Sequence, residues 1–222
     1  CDRIAPLTIP LREVKLPPAG EINHNRLMTF TDRMRVRFKG IVDPIGKFLN
    51  RLGLMPNTMT ILGLVGNTVG GVLLGLGHMT AGGLVVLAMG PVDALDGTMA
   101  RLRGMPTDFG GFVDSVADRY SELVIFGGLI YYYLTQSEWL LAMVTYAAAS
   151  GSVLVSYVRA RAASAGMETK VGVLTRFERY LVLVPALVLN YAWVGVWIIA
   201  VLANLTALQR ILDVRRQWHL RN

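Results

Sequence analysis

The sequence predicts an all-α integral membrane protein, six transmembrane helices preceded by a basic amphipathic interfacial helix. Three observations carry that prediction. Of 222 residues, 53% are hydrophobic and only 17% charged, a balance that places the chain in the helical membrane class. Long stretches hold no charge at all, among them 63–77 and 180–207, and about 20 apolar residues suffice to cross the hydrocarbon core as a helix. The basic residues, finally, gather in a few places and leave alternate links empty.

Along the chain, residues 1–25 are polar and carry Pro6, Pro10, Pro17 and Pro18, which oppose a long helix. They read as a linker or the remnant of an upstream segment. The chain opens on Cys1 rather than Met. A lipidated Cys1 would put the N-terminus outside the cytoplasm, against the charge map below, so a trimmed start is the reading preferred. The lone cysteine excludes an internal disulfide or a cysteine metal site. Residues 26–51 form the juxtamembrane helix: Leu27, Phe30, Met34, Phe38, Ile41, Ile45, Phe48 and Leu49 recur mostly three or four apart, interleaved with Arg33, Arg35, Arg37, Lys39 and Lys47. Such a helix lies in the interface with its cations near anionic headgroups; a solvated helix packed on the protein is the plainer alternative.

Residues 52–222 then form the membrane domain, with spans over 57–77, 80–103, 109–134, 138–163, 176–192 and 194–215. Short polar links at 77–80, 104–107 and 135–137, a longer one at 164–175, and a turn near 190–194 separate them. Tyr191 and Trp193 suit an aromatic belt, as does the tyrosine run 131–133.

All 22 Lys and Arg fall in residues 1–56, at Arg101, Arg103 and Arg119, in 159–179 and in 210–222, and the links near 78, 136 and 192 have none. This places both termini and the charged links on the cytoplasmic side of a cell membrane. An even number of spans agrees. The net charge of +7 is therefore a signal of topology and of anionic ligands, with no nucleic-acid partner implied.

Carboxylates within spans are costly, roughly 2.5–3.5 kcal/mol each at a helix centre. Yet Asp93, Asp96, Asp114 and Asp118 lie near the cytoplasmic ends of two consecutive spans, spaced three apart in one pair and four in the other. Each pair shares a helix face, and the short link makes the two helices antiparallel neighbours. Four converging anions repel unless cations neutralise them. Oxygen-only ligation suits a hard cation such as Mg²⁺ or Mn²⁺, and such sites handle phosphate substrates. Gly97, Gly110 and Gly111 flank these carboxylates. They read as room for a ligand near the backbone, the alternative being close helix packing; the glycines in 63–77 read as packing. Glu122 shares a face with Asp118 and extends the polar cluster, while Arg119 is placed to neutralise Asp118. His24, His78 and His219 are isolated and carry no chemistry.

The segment Asp93-x2-Asp96-Gly97-x2-Ala100-Arg101-x8-Gly110-x3-Asp114-x3-Asp118 resembles the signature of the CDP-alcohol phosphotransferases at every fixed position. Pro56-Asn57-x2-Thr60 at the start of the first span is similar too; residues 1–25 lie outside the resemblance. It implies a CDP-linked donor such as CDP-diacylglycerol, and Asp93, Asp96, Asp114 and Asp118 holding divalent metal, two ions in all. Asp118 would also serve as general base for an acceptor hydroxyl. Asn57, Thr60, Asp93, Gly97, Ala100, Arg101, Gly110 and Asp114 would surround the CDP group. CMP would leave, and the family resemblance further implies a homodimer.

The acceptor is read from Arg159, Arg161, Arg176 and Arg179. Guanidinium groups grip phosphate bidentately, so this cluster suits a small phosphorylated polyol; positive-inside anchoring with a Glu178 ion pair is the plainer alternative. Ser156-Tyr157-Val158-Arg159-Ala160-Arg161-Ala162 and Arg176-Phe177-Glu178-Arg179 resemble the phosphatidylinositol-phosphate synthase branch, although Ala163 and Thr175 stand where that branch often has Glu. Inositol phosphate is thus the expected acceptor, with glycerol 3-phosphate the alternative. A cation-coupled secondary transporter with an acidic mid-membrane site is the reading from another class. The position of the aspartates near the span ends, and the lack of an inverted repeat, oppose it.

Overall fold

The computed structural model describes Gly40 and residues 43–104, 107–169 and 171–221. The linker over 1–25, Cys1 and most of the predicted juxtamembrane helix lie outside the described residues. The described residues contain helices and turns but no strand. A short helix, α1, covers 43–51. Six longer ones follow: α2 (Pro56–Gly75), α3 (Met79–Leu102), α4 (Asp108–Thr135), α5 (Trp139–Ser164), α6 (Arg176–Val188) and α7 (Ala192–Arg221).

Local sequence explains the boundaries. Pro56 opens α2 at a position where its missing N–H costs nothing. Thr107 caps α4 by accepting the Gly110 N–H at 3.0 Å, and Asp108 in the first turn complements the helix dipole. At α6, Glu178 reaches back to accept the Thr175 N–H at 2.9 Å, the capping-box arrangement. Gly77, Gly104 and Gly166 carry positive φ just past the ends of α2, α3 and α5, where the chain must leave the helix left-handed.

The helices match the six predicted spans in place, but not all in character. Four of them, α2, α3, α5 and α7, are long and apolar enough to cross a membrane. The other two are not: α4 carries Asp118, Arg119 and Glu122 in its middle, and α6 has 13 residues. The expected fifth span, 176–192, overran because Asn190 turns left-handed with φ of 63° and ends the helix early, a break that hydropathy does not register.

Packing relies on small residues. On α2, Gly66 and Gly70 receive Met89 and Val86 of α3; a Cβ on Gly128 of α4 would strike the Gly71 backbone, and one on Gly71 would strike Val124. Gly151 of α5 likewise accepts Asn204 of α7, whose amide donates to Ala147 O at 2.9 Å. Close backbone approach of this kind is the usual basis of helix association in lipid. Leu74, Val86, Phe126, Leu129, Leu187, Val196 and Ile199 form the shared core. Outside it, Ile61, Val65, Val69 and Val72 on α2, and Val201, Leu205, Leu208 and Leu212 on α7, are exposed. A surface so apolar is solvated by lipid rather than water.

The end of α1 and the link to α2 are tied to the end of α3. Arg103 donates to Asn50 Oδ1 at 2.7 Å and to Leu54 O at 2.5 Å, and Asn50 donates to Met99 O at 3.2 Å. Ile45, Phe48, Leu52 and Met55 remain exposed.

Candidate active site

The last three turns of α3 and the first three of α4 bring the four aspartates to one end of the bundle. Asp96 is buried, with Oδ2 accepting from Thr60 Oγ1 at 2.7 Å and Oδ1 from the Gly97 N–H at 2.5 Å. Thr60, expected near the CDP group, thus orients an aspartate across the α2–α3 contact. Asp93 faces Gly63 of α2, where a Cβ would collide with its carboxylate. Gly63 is therefore an active-end glycine as well as a packing one. Asp118 is buried, and Asp114 lies close enough to repel Asp93, Asp96 and Asp118.

Arg176, the first residue of α6, enters this cluster. Its Nη2 donates to Asp93 Oδ2 at 3.1 Å and pairs with Asp118 Oδ1 at 2.6 Å. Arg119 adds a longer contact to Asp118 at 3.4 Å, as its sequence position predicted. Among the described residues no three carboxylates are arranged to hold a metal ion, and the Arg176 guanidinium lies against both Asp93 and Asp118. The donor set nonetheless fits a hard divalent cation: it is all carboxylate, and it already draws a positive charge into its centre.

The predicted CDP residues divide. Gly97 and Gly111 face open space on the side a Cβ would take, apart from Arg101 Nη1 at 3.4 Å from Gly97, and Gly110 meets only the Thr107 hydroxyl. Among the described residues no other helix comes within reach of a Cβ at these three glycines. Arg101 is exposed and donates to Thr98 Oγ1 at 2.9 Å. Ala100 is half-buried and Asn57 exposed.

The predicted acceptor arginines also divide. Arg176 joins the aspartates. Arg179 is 3% exposed and donates through Nε and Nη2 to Glu122 Oε1 at 3.0 and 2.7 Å. Its guanidinium is engaged with the carboxylate that the α4 periodicity placed beside Asp118. Arg159 and Arg161 are exposed on α5, and Arg161 donates to Ser164 Oγ at 3.2 Å.

Two residues near these clusters were not foreseen. Arg210 of α7 is buried, donates to Val155 O at 2.7 Å and Val171 O at 3.0 Å, and feels the charges of Arg159 and Arg179. The sequence signal was available: Ala203, Thr206, Ala207 and Arg210 fall on one helical face, so an arginine ends an otherwise small, buried stripe. The other is Tyr180, which lines a small cavity of about 50 Å³ together with Asp93, Asp118, Glu122, Arg176 and Arg179.

Carboxylates meet arginines at one end of an apolar helix bundle, a charge pattern that suits a phosphate ester. The chain belongs to the CDP-alcohol phosphatidyltransferase family, whose sequence model matches residues 53–208, so it is a transferase and the transporter reading falls away. It is 33% identical to the archaetidylinositol phosphate synthase of Pyrococcus horikoshii over 85% of this chain and 98% of that one. With the phosphatidylinositol phosphate synthase of Mycobacterium marinum it shares 35% identity, over 81% and 82% of the two chains. The fold is similar to the crystal structure of the Mycobacterium tuberculosis phosphatidylinositol phosphate synthase with CDP-DAG bound: TM-score 0.74, 32% identity, covering 78% of this chain and 93% of that chain. A structure of the same enzyme with manganese and citrate matches at TM-score 0.74 and 32% identity, covering 78% and 88%.

Proposed function

We propose that the chain transfers the phosphatidyl group of a CDP-diacylglycerol-like lipid to a hydroxyl of inositol phosphate, releasing CMP. One observation carries this reading. Arg176, from the predicted acceptor cluster, reaches Asp93 and Asp118 of the donor cluster, so the two half-sites are continuous. The relatives support the choice of acceptor: one is named for an archaetidyl product and another for a phosphatidyl product, and both names carry inositol phosphate.

In this reading Asp93, Asp96, Asp114 and Asp118 hold Mg²⁺ or Mn²⁺ against the donor diphosphate. The bound cation supplies charge neutralisation for the diphosphate. Gly97, Ala100 and Gly110 leave room for the cytidine, with Asn57, Thr60 and Arg101 beside it. Asp118 accepts the proton of the acceptor hydroxyl. The hydroxyl oxygen bonds to the phosphatidyl phosphorus, the bond to CMP breaks, and CMP leaves with the electron pair. Arg159, Arg161 and Arg176 hold the acceptor phosphate, and Arg179 contributes through its pairing with Glu122. Positioning and electrostatics do the catalytic work.

The same reading takes 52–222 as the membrane domain, 26–51 as an interfacial helix and 1–25 as a linker. In it, α4 and α6 complete six crossings, and the site faces the cytoplasm. The exposed stripe Ile45, Phe48, Leu52 and Met55 supports the interfacial placement.

The test supplies radiolabelled CDP-diacylglycerol and Mn²⁺ with inositol phosphate, glycerol 3-phosphate, free inositol or serine in parallel. Inositol phosphate is expected to drive CMP release, and Asp118→Asn to lose about 100-fold or more with every acceptor. Preference for an unphosphorylated acceptor would overturn the arginine argument.

A further inference from the structure

Pro91 sits inside α3, two residues before Asp93 and five before Asp96. It has no N–H, so the carbonyl of Leu87 lacks its partner four residues on. A bare carbonyl in a membrane interior is costly, and water is not at hand to satisfy it. The structure fills the gap from another helix. The Tyr180 hydroxyl of α6 donates to Leu87 O at 2.9 Å and lies 3.1 Å from Val86 O. Gly90 makes the approach possible, since a Cβ there would strike the Tyr180 ring and hydroxyl. One turn earlier on α6, Arg176 grips Asp93. The helix therefore holds α3 on both sides of Pro91, by a hydroxyl before it and a guanidinium after it.

We infer that Tyr180 is a positioning residue for the metal-binding face of α3, acting by closing the backbone gap that Pro91 opens. A proline gap left open allows the helix to bend and rotate beyond it, and what lies beyond it is Asp93 and Asp96. Tyr180 touches neither aspartate; it fixes the direction in which both project. The inference rests on the metal-holding role proposed above for those aspartates.

The experiment uses the full chain in phospholipid nanodiscs and reads Mn²⁺ affinity directly by electron paramagnetic resonance, with steady-state kinetics alongside. Tyr180→Phe keeps the ring and removes the donor. It is expected to weaken Mn²⁺ binding about threefold to tenfold, the range of one hydrogen bond, and to lower kcat more than it raises the acceptor KM. Pro91→Ala gives Leu87 an intrahelical donor. In that background Tyr180→Phe is expected to change Mn²⁺ affinity by less than about twofold, because the gap no longer exists. Pro91→Leu restores the same N–H and serves where Pro91→Ala fails to fold. Unchanged Mn²⁺ affinity in Tyr180→Phe, or an equal loss with and without Pro91, overturns the inference. Wild-type Mn²⁺ binding by Asp93→Asn would instead sink the metal assignment itself, so the two failures are distinguishable.

Discussion

Arg176 occupies the centre of the site at the residue scale. It neutralises Asp93 and Asp118, the charges that a divalent cation would also neutralise, so guanidinium and metal compete for the same carboxylates. Replacing it therefore has two opposite effects. Arg176→Gln is expected to tighten Mn²⁺ binding roughly tenfold, the scale of one charge-assisted contact, and to raise the KM of a phosphorylated acceptor by at least as much. Equilibrium Mn²⁺ titration and acceptor kinetics on one preparation check both, and weaker Mn²⁺ binding in the variant would contradict the competition. The aspartates themselves were legible in the sequence, because spacings of three and four fix a helix face. The meeting of Arg176 with Asp93, 83 residues away, was not: periodicity gives the face of a helix but not the helix it faces. The same holds for Arg179, grouped by charge with the phosphate binders, whose buried position against Glu122, 57 residues away, is a tertiary contact.

For the elements, hydropathy located six helices and set most ends to within a residue or two. It failed where polarity was not the deciding force. Asn190 ends α6 by backbone conformation within an apolar stretch, and α4 carries its charges in mid-helix because they face the site rather than lipid. The glycines of 63–77 were correctly read as packing, with Gly63 serving Asp93 as well. The tightest contact joins Gly71 and Gly128. Gly71→Val or Gly128→Val is expected to destabilise the chain by about 1–3 kcal/mol or more through overpacking. The readout is thermal unfolding in detergent, with Gly127→Val as control, since nothing lies within reach of a Cβ at Gly127. Equal losses at 127 and 128 would contradict the packing argument.

Over the whole molecule, the distribution of Lys and Arg predicts orientation. Cys1 is the one cysteine, so after its removal single cysteines report sidedness cleanly. Cysteines at Gly104 and Gly166 are expected to react with an impermeant maleimide only from the cytoplasmic side, and one at Gln136 only from the opposite side. Labelling of positions 104 and 136 from the same side would rule out α4 as a crossing helix. An orientation can be predicted from the sequence because it depends on charge counts alone. Whether α4 and α6 cross was less legible, since one is charged and the other short.

That shortness has a consequence for the surrounding solvent. The far end of α6 meets the start of α3, where Thr80 donates to Val188 O at 3.1 Å, and its near end stops at Asp93. Thirteen residues rise only about 20 Å, against a hydrocarbon layer of about 30 Å. On that side α6 ends level with Asp93, while α3 continues a further nine residues to Leu102. In the proposed reading, such a step would admit water beside lipid. A donor soluble only in oil and an acceptor soluble only in water need a common boundary at which to react. In the proposed function that boundary would be the step at this short helix, where two phases meet as well as two reactants.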